Sequence, residues 1–194
     1  MSLTCKNLKV TFICKYDIDI KLAQQECIVS KHRISVIIRQ QTLGCVFTIY
    51  NHSLRTLHCT GIKHIQVIPK IIAFIKYVLQ NKALTSCIDN SMFTCKQRIH
   101  ISLKEVIAKV KKYHNNIYYC THSTEVFPAL FIKPVLKNTG LPSVILFHTS
   151  SYVLIGGKSI EKVKRANTFV KRICEIWIRL YPHHASAFYC VYVF

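Results

Sequence analysis

Two glycine–lysine segments are the residues whose spacing most suggests chemistry in this chain. They are Cys59-Thr60-Gly61-Ile62-Lys63 and Leu154-Ile155-Gly156-Gly157-Lys158. A glycine turn followed by lysine can cradle a phosphate, but the second segment lacks the upstream glycine of a phosphate-binding loop. Each segment instead follows a strand-like run and precedes a helical pattern, at residues 65–79 and 160–180. Because Gly61 and Gly156 are 95 positions apart, this strand, turn and helix unit indicates an internal repeat.

The composition of the 194-residue chain favours an ordered protein that binds a polyanion. Hydrophobic residues make up 51% of the sequence, with only five glycines and five prolines, which excludes a disordered basic tail. Lysine and arginine number 27 against eight acids, giving a formal net charge of +19. Such an excess favours nucleic acid over a membrane surface as the partner. The length allows one domain or two small ones.

The ten cysteines predict free thiols in a reducing compartment rather than a disulfide scaffold, because they include no Cys-x-x-Cys pair and the chain is not short. The first six residues carry no apolar signal-peptide core. Residues 138–157 contain no charge, but their glycine, proline, serine and threonine content is too polar for a membrane-spanning helix. We therefore expect no membrane partner.

The acidic residues and histidines form none of the spacings that enzymes and metal sites use. The eight acids include no paired-carboxylate motif, and neither His-x-Glu nor His-Glu-x-x-His occurs. His183 and His184 are adjacent rather than one helical turn apart, and zinc-binding Cys/His spacing is absent. We therefore predict a protein that is not an enzyme, with no metal site and no cofactor. A cysteine nucleophile with a distant histidine is an alternative that the sequence leaves open.

Apolar alternation and helical stripes divide the chain into two halves of similar order, which predicts an α+β fold. We place the repeats at residues 1–82 and 83–182 and an apolar tail at 183–194, all within one structural domain. The predicted strands are 8–13, 34–38, 45–50 and 54–59, then 92–95, 129–132, 144–147 and 152–155. The predicted helices are 18–25, 65–79, 103–113 and 160–180, the second with a buried stripe of Ile65, Ile68, Ile72, Ile75 and Leu79.

Several motifs in this order resemble the TATA-box-binding protein (TBP) family over residues 7–180. Glu125-Val126-Phe127-Pro128-Ala129-Leu130 resembles the family's Phe-Pro-Gly-Leu, and Val153 to Lys158 resembles its strand ending in Thr-Gly-Ala-Lys. Lys6-Asn7-Leu8 and Ile88-Asp89-Asn90 are similar to the starts of the family's two repeats. The resemblance implies a TBP-like saddle, in which two pseudo-symmetric repeats form a curved antiparallel sheet with helices on the convex face.

The resemblance also implies the residues that would contact DNA. This family is the type case of a mode of binding in which a concave sheet covers the minor groove and apolar wedges unstack base steps and kink the duplex. Phe127 and Phe147 stand at the wedge positions of the second half. Tyr50 stands at one wedge position of the first half, and the other falls on Arg33 without a gap or on Ile34 with one.

Polar and basic residues complete the interface that the resemblance implies. Asn7 and Asn90 match asparagines that donate to minor-groove acceptors of A·T pairs. Thr60 matches one of a central pair of threonines, whereas its counterpart is the apolar Ile155. Glu125 and Val126 lie on the loop where the family meets its factor-B-type partner. The residues expected to reach phosphates are Arg39, Lys63, Lys133 and Lys158.

The predicted function is therefore to bind and bend AT-rich promoter DNA in the minor groove and to recruit factor-B-type transcription factors and RNA polymerase. The departures from the family pattern suit a divergent protein of a large DNA virus or an AT-rich protist genome. The expected location is the nucleus, or a cytoplasmic replication site for a viral protein. The first alternative is a TBP-fold module for protein–protein or non-specific DNA binding. The second is an unrelated basic α+β nucleic-acid protein, such as an RNA-binding protein.

Overall fold

The computed structural model describes residues 3–25, 27–122 and 127–180. The chain forms two compact units that divide between Met92 and Phe93. The first unit comprises residues 5–92, and the second continues from Phe93. The division falls within one strand, Ala83–Cys95, whereas the repeat boundary expected from the sequence lies at the start of that strand. Neither the predicted repeat boundary nor the tail at 183–194, which lies outside the described residues, is tested by this division.

The first unit is an antiparallel sheet with two helices. Its elements in chain order are β1 (Thr4–Cys14), α1 (Ile20–Ala23), β2 (Ile28–Lys31), β3 (Ser35–Gln40), β4 (Cys45–Tyr50), β5 (Thr56–Ile62), α2 (Ile68–Tyr77) and β6 (Ala83–Cys95). A short 3-10 turn, Ile65–Val67, precedes the longer helix. Along the sheet the strand order is β2-β3-β4-β5-β1-β6.

The core of the first unit lies between α2 and one face of the sheet. Alternate residues of β4 are buried, and Phe47 stacks on Phe74 of α2 with ring centroids 5.0 Å apart. The predicted stripe on this helix was partly wrong, because Ile65 and Ile72 are exposed. Residues 65–67 form a 3-10 turn, so the phase of α2 is set only from Ile68, with Pro69 in its first turn. The buried face is Ile71, Phe74, Ile75 and, just after the helix, Leu79.

The second unit is likewise an antiparallel sheet with two helices. Its elements are α3 (Leu103–Tyr113), β7 (Tyr118–Thr121), β8 (Ala129–Pro134), β9 (Ser143–Phe147), β10 (Tyr152–Ile155) and α4 (Ile160–Leu180). Along this sheet the strand order is β10-β9-β8-β7. Both helices begin and end where the helical pattern of the sequence predicts. Ser102 accepts a hydrogen bond from the Glu105 amide (3.4 Å) and so caps α3.

The core of the second unit is formed by α4 against the sheet. Phe169 stacks on Tyr118 at 4.6 Å between ring centroids, and the Tyr152 hydroxyl donates to Asn167 Oδ1 at 2.5 Å. These contacts join the first and last strands of this sheet to the same helix. Burial raises the pKa of Tyr118 to about 12, so its hydroxyl stays protonated at neutral pH. Over residues 160–174 of α4, the buried residues are Val163, Ala166, Val170, Ile173 and Cys174.

Three chemical features of the described residues bear on the class of protein. No disulfide joins the cysteines at 5, 14, 27, 45, 59, 87, 95, 120 and 174. Within residues 3–25, 27–122 and 127–180, no three His, Cys, Asp or Glu side chains come close enough together to hold a metal ion. None of the helices in the same ranges is both long and apolar enough to cross a membrane.

Candidate nucleic-acid interface

The sheet of the first unit has one face turned away from α2, which we call the first open face. Strand pairing defines its rows, because residues directly opposite each other point to the same side. Thr48 pairs with Ile37 on one side and with His58 on the other, and His58 pairs with Thr11. The next row is Arg39, Val46 and Thr60, and Tyr50 lies opposite Ser35 at the end of the strands.

The second unit has an equivalent face, the second open face. One of its rows runs through Thr121, Phe131, Ile145 and Val153. One register step beyond the Ile132–Val144 pair, Tyr119 pairs with Lys133 and Ser143 pairs with Ile155. Phe147 lies opposite Ala129 at the end of the strands. This face is therefore mostly apolar, whereas the first open face carries several polar side chains.

Three phenylalanines form an aromatic cluster on the second open face, near the ends of its strands. Phe127, 40% exposed, lies with its ring centroid 6.0 Å from that of Phe147 and 5.7 Å from that of Phe131. The two predicted wedge residues thus lie side by side. Phe131 was missed from the sequence, although its place between Leu130 and Ile132, both buried, would have identified it by alternation.

The pairing register identifies the counterpart of Phe127 in the first unit. Ser35 lies opposite Tyr50 as Ala129 lies opposite Phe147. Ser35 begins β3 and Ala129 begins β8. The residue two positions before Ser35 is Arg33, and the residue two positions before Ala129 is Phe127. The register therefore matches Arg33, the alternative without a gap, to Phe127. Ile34 follows at the tip of the turn and is 66% exposed.

Asn51 holds this turn between β2 and β3 in place. The Asn51 side-chain amide donates to the Arg33 carbonyl at 2.9 Å, and its backbone amide donates to the Ile34 carbonyl at 3.0 Å. Tyr50, beside it, stacks on His52 with ring centroids 5.6 Å apart. The first unit therefore presents a tyrosine, an arginine and an exposed isoleucine where the second presents two phenylalanines.

The asparagines and the threonine–isoleucine pair occupy defined positions. The Asn7 Oδ1 atom accepts a hydrogen bond from the Gly61 amide at 3.0 Å, which leaves the side-chain NH₂ to act as the donor of this exposed residue. Thr60 donates to the Val46 carbonyl at 3.4 Å, and Ile155 is half-buried in the equivalent row beside Ser143. Asn90 is exposed on β6.

The four predicted phosphate contacts form two matched pairs. Arg39 and Lys133 occupy equivalent places in the rows that contain Thr60 and Ile155. Lys63 and Lys158 are both exposed and each follows its glycine by two residues. Arg39 also donates to the Ser30 hydroxyl at 3.3 Å, which orients its guanidinium. The predicted partner-binding residues Glu125 and Val126 lie outside the described residues.

A polar cluster on the first open face was not predicted from the sequence. Thr11 donates to Asp89 Oδ2 at 2.5 Å, Lys9 Nζ is 3.8 Å from the same oxygen, and His58 Nδ1 is 4.0 Å from it. Partial burial and the charge of Lys9 lower the pKa of His58 from 6.5, and Asp89 opposes this shift. His58 could have been found from its place between the apolar Leu57 and Cys59. Asp89 could not, because its partners are distant in the sequence.

The helix side of the second unit contains an open cavity of about 550 Å³. Ile117, Tyr118 and Phe169 form apolar walls, and Lys164 and Arg172 of α4 stand among the residues that line it. The cavity lies away from the second open face, since Tyr118 is buried on the opposite side of its strand from Tyr119. It is a separate surface from the aromatic cluster.

A comparison with solved structures finds the same fold in Methanococcus jannaschii TBP. That structure is similar to this chain with a TM-score of 0.62 and 18% sequence identity, covering 90% of this chain and 99% of the other. A. aeolicus tRNASec in complex with M. kandleri SerRS reaches a TM-score of 0.42 at 8% identity over 93% of this chain and 32% of the other, too low to carry an argument. No protein-family model and no curated protein matches the sequence. The chain therefore has the α+β fold of TBP, as its motifs predicted.

Proposed function

We propose that this chain is a DNA-binding transcription initiation factor that covers the minor groove of AT-rich promoter DNA with its open faces and bends the duplex. The observation that carries the proposal is the pair of the exposed Phe127 and the half-buried Phe147, whose ring centroids are 6.0 Å apart at the end of the second open face. Aromatic side chains at this place in a TBP-like sheet suit insertion between base pairs. Unstacking a base step costs a few kcal/mol, which the extra contact of a bent duplex offsets.

The charge of the chain supports a polyanionic ligand. Of the basic residues, Arg39 and Lys133 flank the open faces in equivalent rows, and Lys63 and Lys158 extend from the strand ends. Each phosphate that such a residue neutralises releases condensed counterions, which favours binding at low salt. Because the four residues form two matched pairs, they suit a ligand with a regular backbone, such as a duplex.

The finer parts of the proposal concern partners and location. We propose that the protein acts as a binding platform rather than an enzyme, and that it recruits a factor-B-type protein and RNA polymerase, with Glu125 and Val126 among the contacts. It would act in the nucleus, or at a cytoplasmic replication site if it is viral.

DNA bending tests the proposal directly. An AT-rich duplex labelled at both ends should show increased fluorescence transfer when the protein binds, and Phe127→Ala and Phe147→Ala should each reduce the transfer at saturating protein. Tyr113→Ala is the matched control, because Tyr113 is an exposed aromatic residue at the end of α3 rather than on an open face. Bending that is equal in all four proteins would overturn the wedge assignment.

The cavity on the helix side favours a second candidate function, a TBP-fold module that binds proteins. Ile117, 44% exposed, offers an apolar wall beside basic residues of α4, a combination that suits an acidic segment with an apolar anchor. This function predicts equal, weak affinity for a TATA duplex and its scrambled counterpart in moderate salt, and no bending of either. A clear preference for the TATA duplex with bending would favour the first function.

A further inference from the structure

One of the eight acidic residues of this strongly basic chain lies on the first open face. The Asp89 carboxylate is 30% exposed and is held by three neighbours from two other strands. Thr11 donates to its Oδ2 atom at 2.5 Å, Lys9 Nζ is 3.8 Å away, and His58 Nδ1 is 4.0 Å away. All four residues belong to the first unit. A carboxylate on a surface that we propose to contact phosphates and base edges would repel the phosphates, so its presence needs a chemical explanation.

The protons of this cluster can be assigned from its distances. Thr11 has a single hydroxyl hydrogen, which goes to Asp89 because an ionised carboxylate can only accept. The 2.8 Å contact between Thr11 Oγ1 and His58 Nδ1 then requires Nδ1–H to be the donor. In neutral His58 the remaining ring nitrogen, Nε2, is an acceptor. The cluster therefore presents two acceptors, the carboxylate and Nε2, with Lys9 as a counter-charge.

Base pairs differ in whether they can satisfy such acceptors in the minor groove. An A·T pair shows only the adenine N3 and thymine O2 acceptors, whereas a G·C pair adds the guanine amino group, a donor. A carboxylate against A·T acceptors would lose its water without gaining a hydrogen bond. Against a guanine amino group it would gain a charge-assisted hydrogen bond. Thr11 donates to Oδ2 and the Cys87 thiol donates to Oδ1 at 3.4 Å. Because a carboxylate offers about four lone-pair sites, lone pairs remain for the bond to the guanine amino group.

We infer that Asp89 is a specificity-determining residue that selects a G·C pair at one position within an otherwise AT-rich site. This inference rests on the proposed minor-groove binding. Lys9 places a positive charge 3.8 Å from the carboxylate, and Thr11, which is in turn bonded to His58, donates to it and fixes its orientation. The preferred ligand is thus a duplex of A·T pairs interrupted by a guanine whose amino group faces the first open face.

The second open face has no charged residue in the row equivalent to that of His58, so we expect no second position that selects a G·C pair. Its row equivalent to that of His58 contains Val153, three residues before Gly156 as His58 is three before Gly61. The other members of that row are Thr121, Phe131 and Ile145, none of which carries a charge. The G·C preference should therefore occur at one end of the site and not at its mirror position.

A panel of duplexes tests this inference with the full chain. A single G·C pair is moved stepwise, in both orientations, through an AT-rich parent, and binding is measured by fluorescence anisotropy at fixed salt. We expect one placement to bind up to about tenfold more tightly than the all-A·T parent, within the discrimination of one good base contact. Replacing that guanine by inosine, which lacks only the amino group, should remove the gain.

Protein variants then assign the gain to the carboxylate. Asp89→Asn should abolish the preference for G·C and bind the all-A·T parent more tightly, because its NH₂ group can donate to A·T acceptors. Asp17→Asn is the control, since Asp17 is an exposed acid that pairs with Arg55 through a 3.0 Å contact and its loss changes the net charge equally. Asp17→Asn should keep the G·C preference.

The outcomes separate the inference from the proposed function. If no AT-rich duplex binds more tightly than a G·C-rich control duplex of the same length, the proposed function fails. If AT-rich duplexes bind but the wild-type protein shows no G·C placement effect, or the effect survives the inosine replacement, the inference is overturned and the function stands. The wild-type measurement decides this even where Asp89→Asn does not fold, and a preference that persists in folded Asp89→Asn also overturns the inference.

Discussion

The Oδ1 atom of Asn7 accepts a hydrogen bond from the Gly61 amide at 3.0 Å, which ties the beginning of β1 to the glycine turn that ends β5. Gly61 has φ +85°, a left-handed conformation that favours glycine, and it lies where the pairing of β1 with β5 shifts register between Leu8 and Val10. The bond uses the acceptor of the side-chain amide and leaves its NH₂ group as a donor. Asn7 thus joins a structural role and a predicted DNA contact in one side chain.

Two effects of a single substitution at Asn7 separate these roles. Asn7→Asp keeps an oxygen that can accept from Gly61, so the free energy of unfolding should change by less than about 1 kcal/mol, the net value of one hydrogen bond. The same change removes the NH₂ donor and adds a negative charge, so affinity for an AT-rich duplex should fall by about tenfold or more, as a lost base contact does. Denaturant unfolding and anisotropy titrations measure the two effects. Unchanged DNA affinity would contradict the predicted contact.

The two repeated glycines should differ in their tolerance of a side chain. Gly61 and Gly156 have φ values of +85° and +89°, so alanine at either site should cost about 1–2 kcal/mol of unfolding free energy. At Gly61 the added Cβ would also lie 3.0 Å from the Gly44 carbonyl oxygen, whereas at Gly156 nothing lies within 4 Å. We therefore expect Gly61→Ala to be the more destabilising in urea unfolding. An equal or reversed order would show that the first turn relaxes at no cost.

The salt dependence of binding reports the phosphate contacts. On B-DNA the slope of log affinity against log salt is about −0.9 per neutralised phosphate, so Lys63→Ala and Lys158→Ala should each make it shallower by about one unit or less. Lys104→Ala serves as the control, because Lys104 is an exposed lysine on α3. Sequence preference should remain in all three variants. If the slopes of the two glycine-turn variants equal that of the control, these lysines do not contact phosphates.

Two helices and two strands were predictable to the residue because the patterns that specify them are local. The pattern at 45–50, 103–113, 152–155 and 160–180 gives the observed bounds of β4, α3, β10 and α4. The edge strands Ile28–Lys31 and Tyr118–Thr121 were missed, because each is only four residues long, too short for its apolar alternation to stand out, and each is fixed by pairing with one neighbouring strand. The Asp89 cluster was missed for a related reason. Its residues meet only when β5, β1 and β6 align, which no local spacing indicates.

Acidification should weaken the first unit through His58. Its pKa in the folded chain lies below the value of 6.5, chiefly through burial and also through Lys9, with Asp89 acting in the opposite direction and Tyr50 contributing only a ring contact at 5.5 Å. At a pH between the pKa of His58 in the folded chain and its pKa in the unfolded chain, the unfolded chain binds more protons than the folded one. The contribution of neutral His58 to the free energy of unfolding is therefore fully present above pH 6.5 and is lost as the pH falls through the folded pKa. His58→Gln can still donate to Thr11 and should flatten the dependence between pH 7 and pH 5. Parallel stability curves for the two proteins would contradict this assignment.

The last prediction concerns the unequal ends of the two open faces. Phe127 and Phe147 present two aromatic rings, whereas their counterparts by register are Arg33 and Tyr50. A guanidinium loses its hydration when it enters a base step, so the second-unit end should unstack bases more deeply than the first, where charge contributes more. A fluorescent base analogue placed at each end of a bound duplex measures the unstacking. Arg33→Phe should raise the signal at the weaker end, while Arg55→Phe, at an exposed site away from the strand pairing of Ser35 and Tyr50, should not. Equal unstacking at both ends of the wild-type complex would show that Tyr50 alone makes as deep a kink as two phenylalanines.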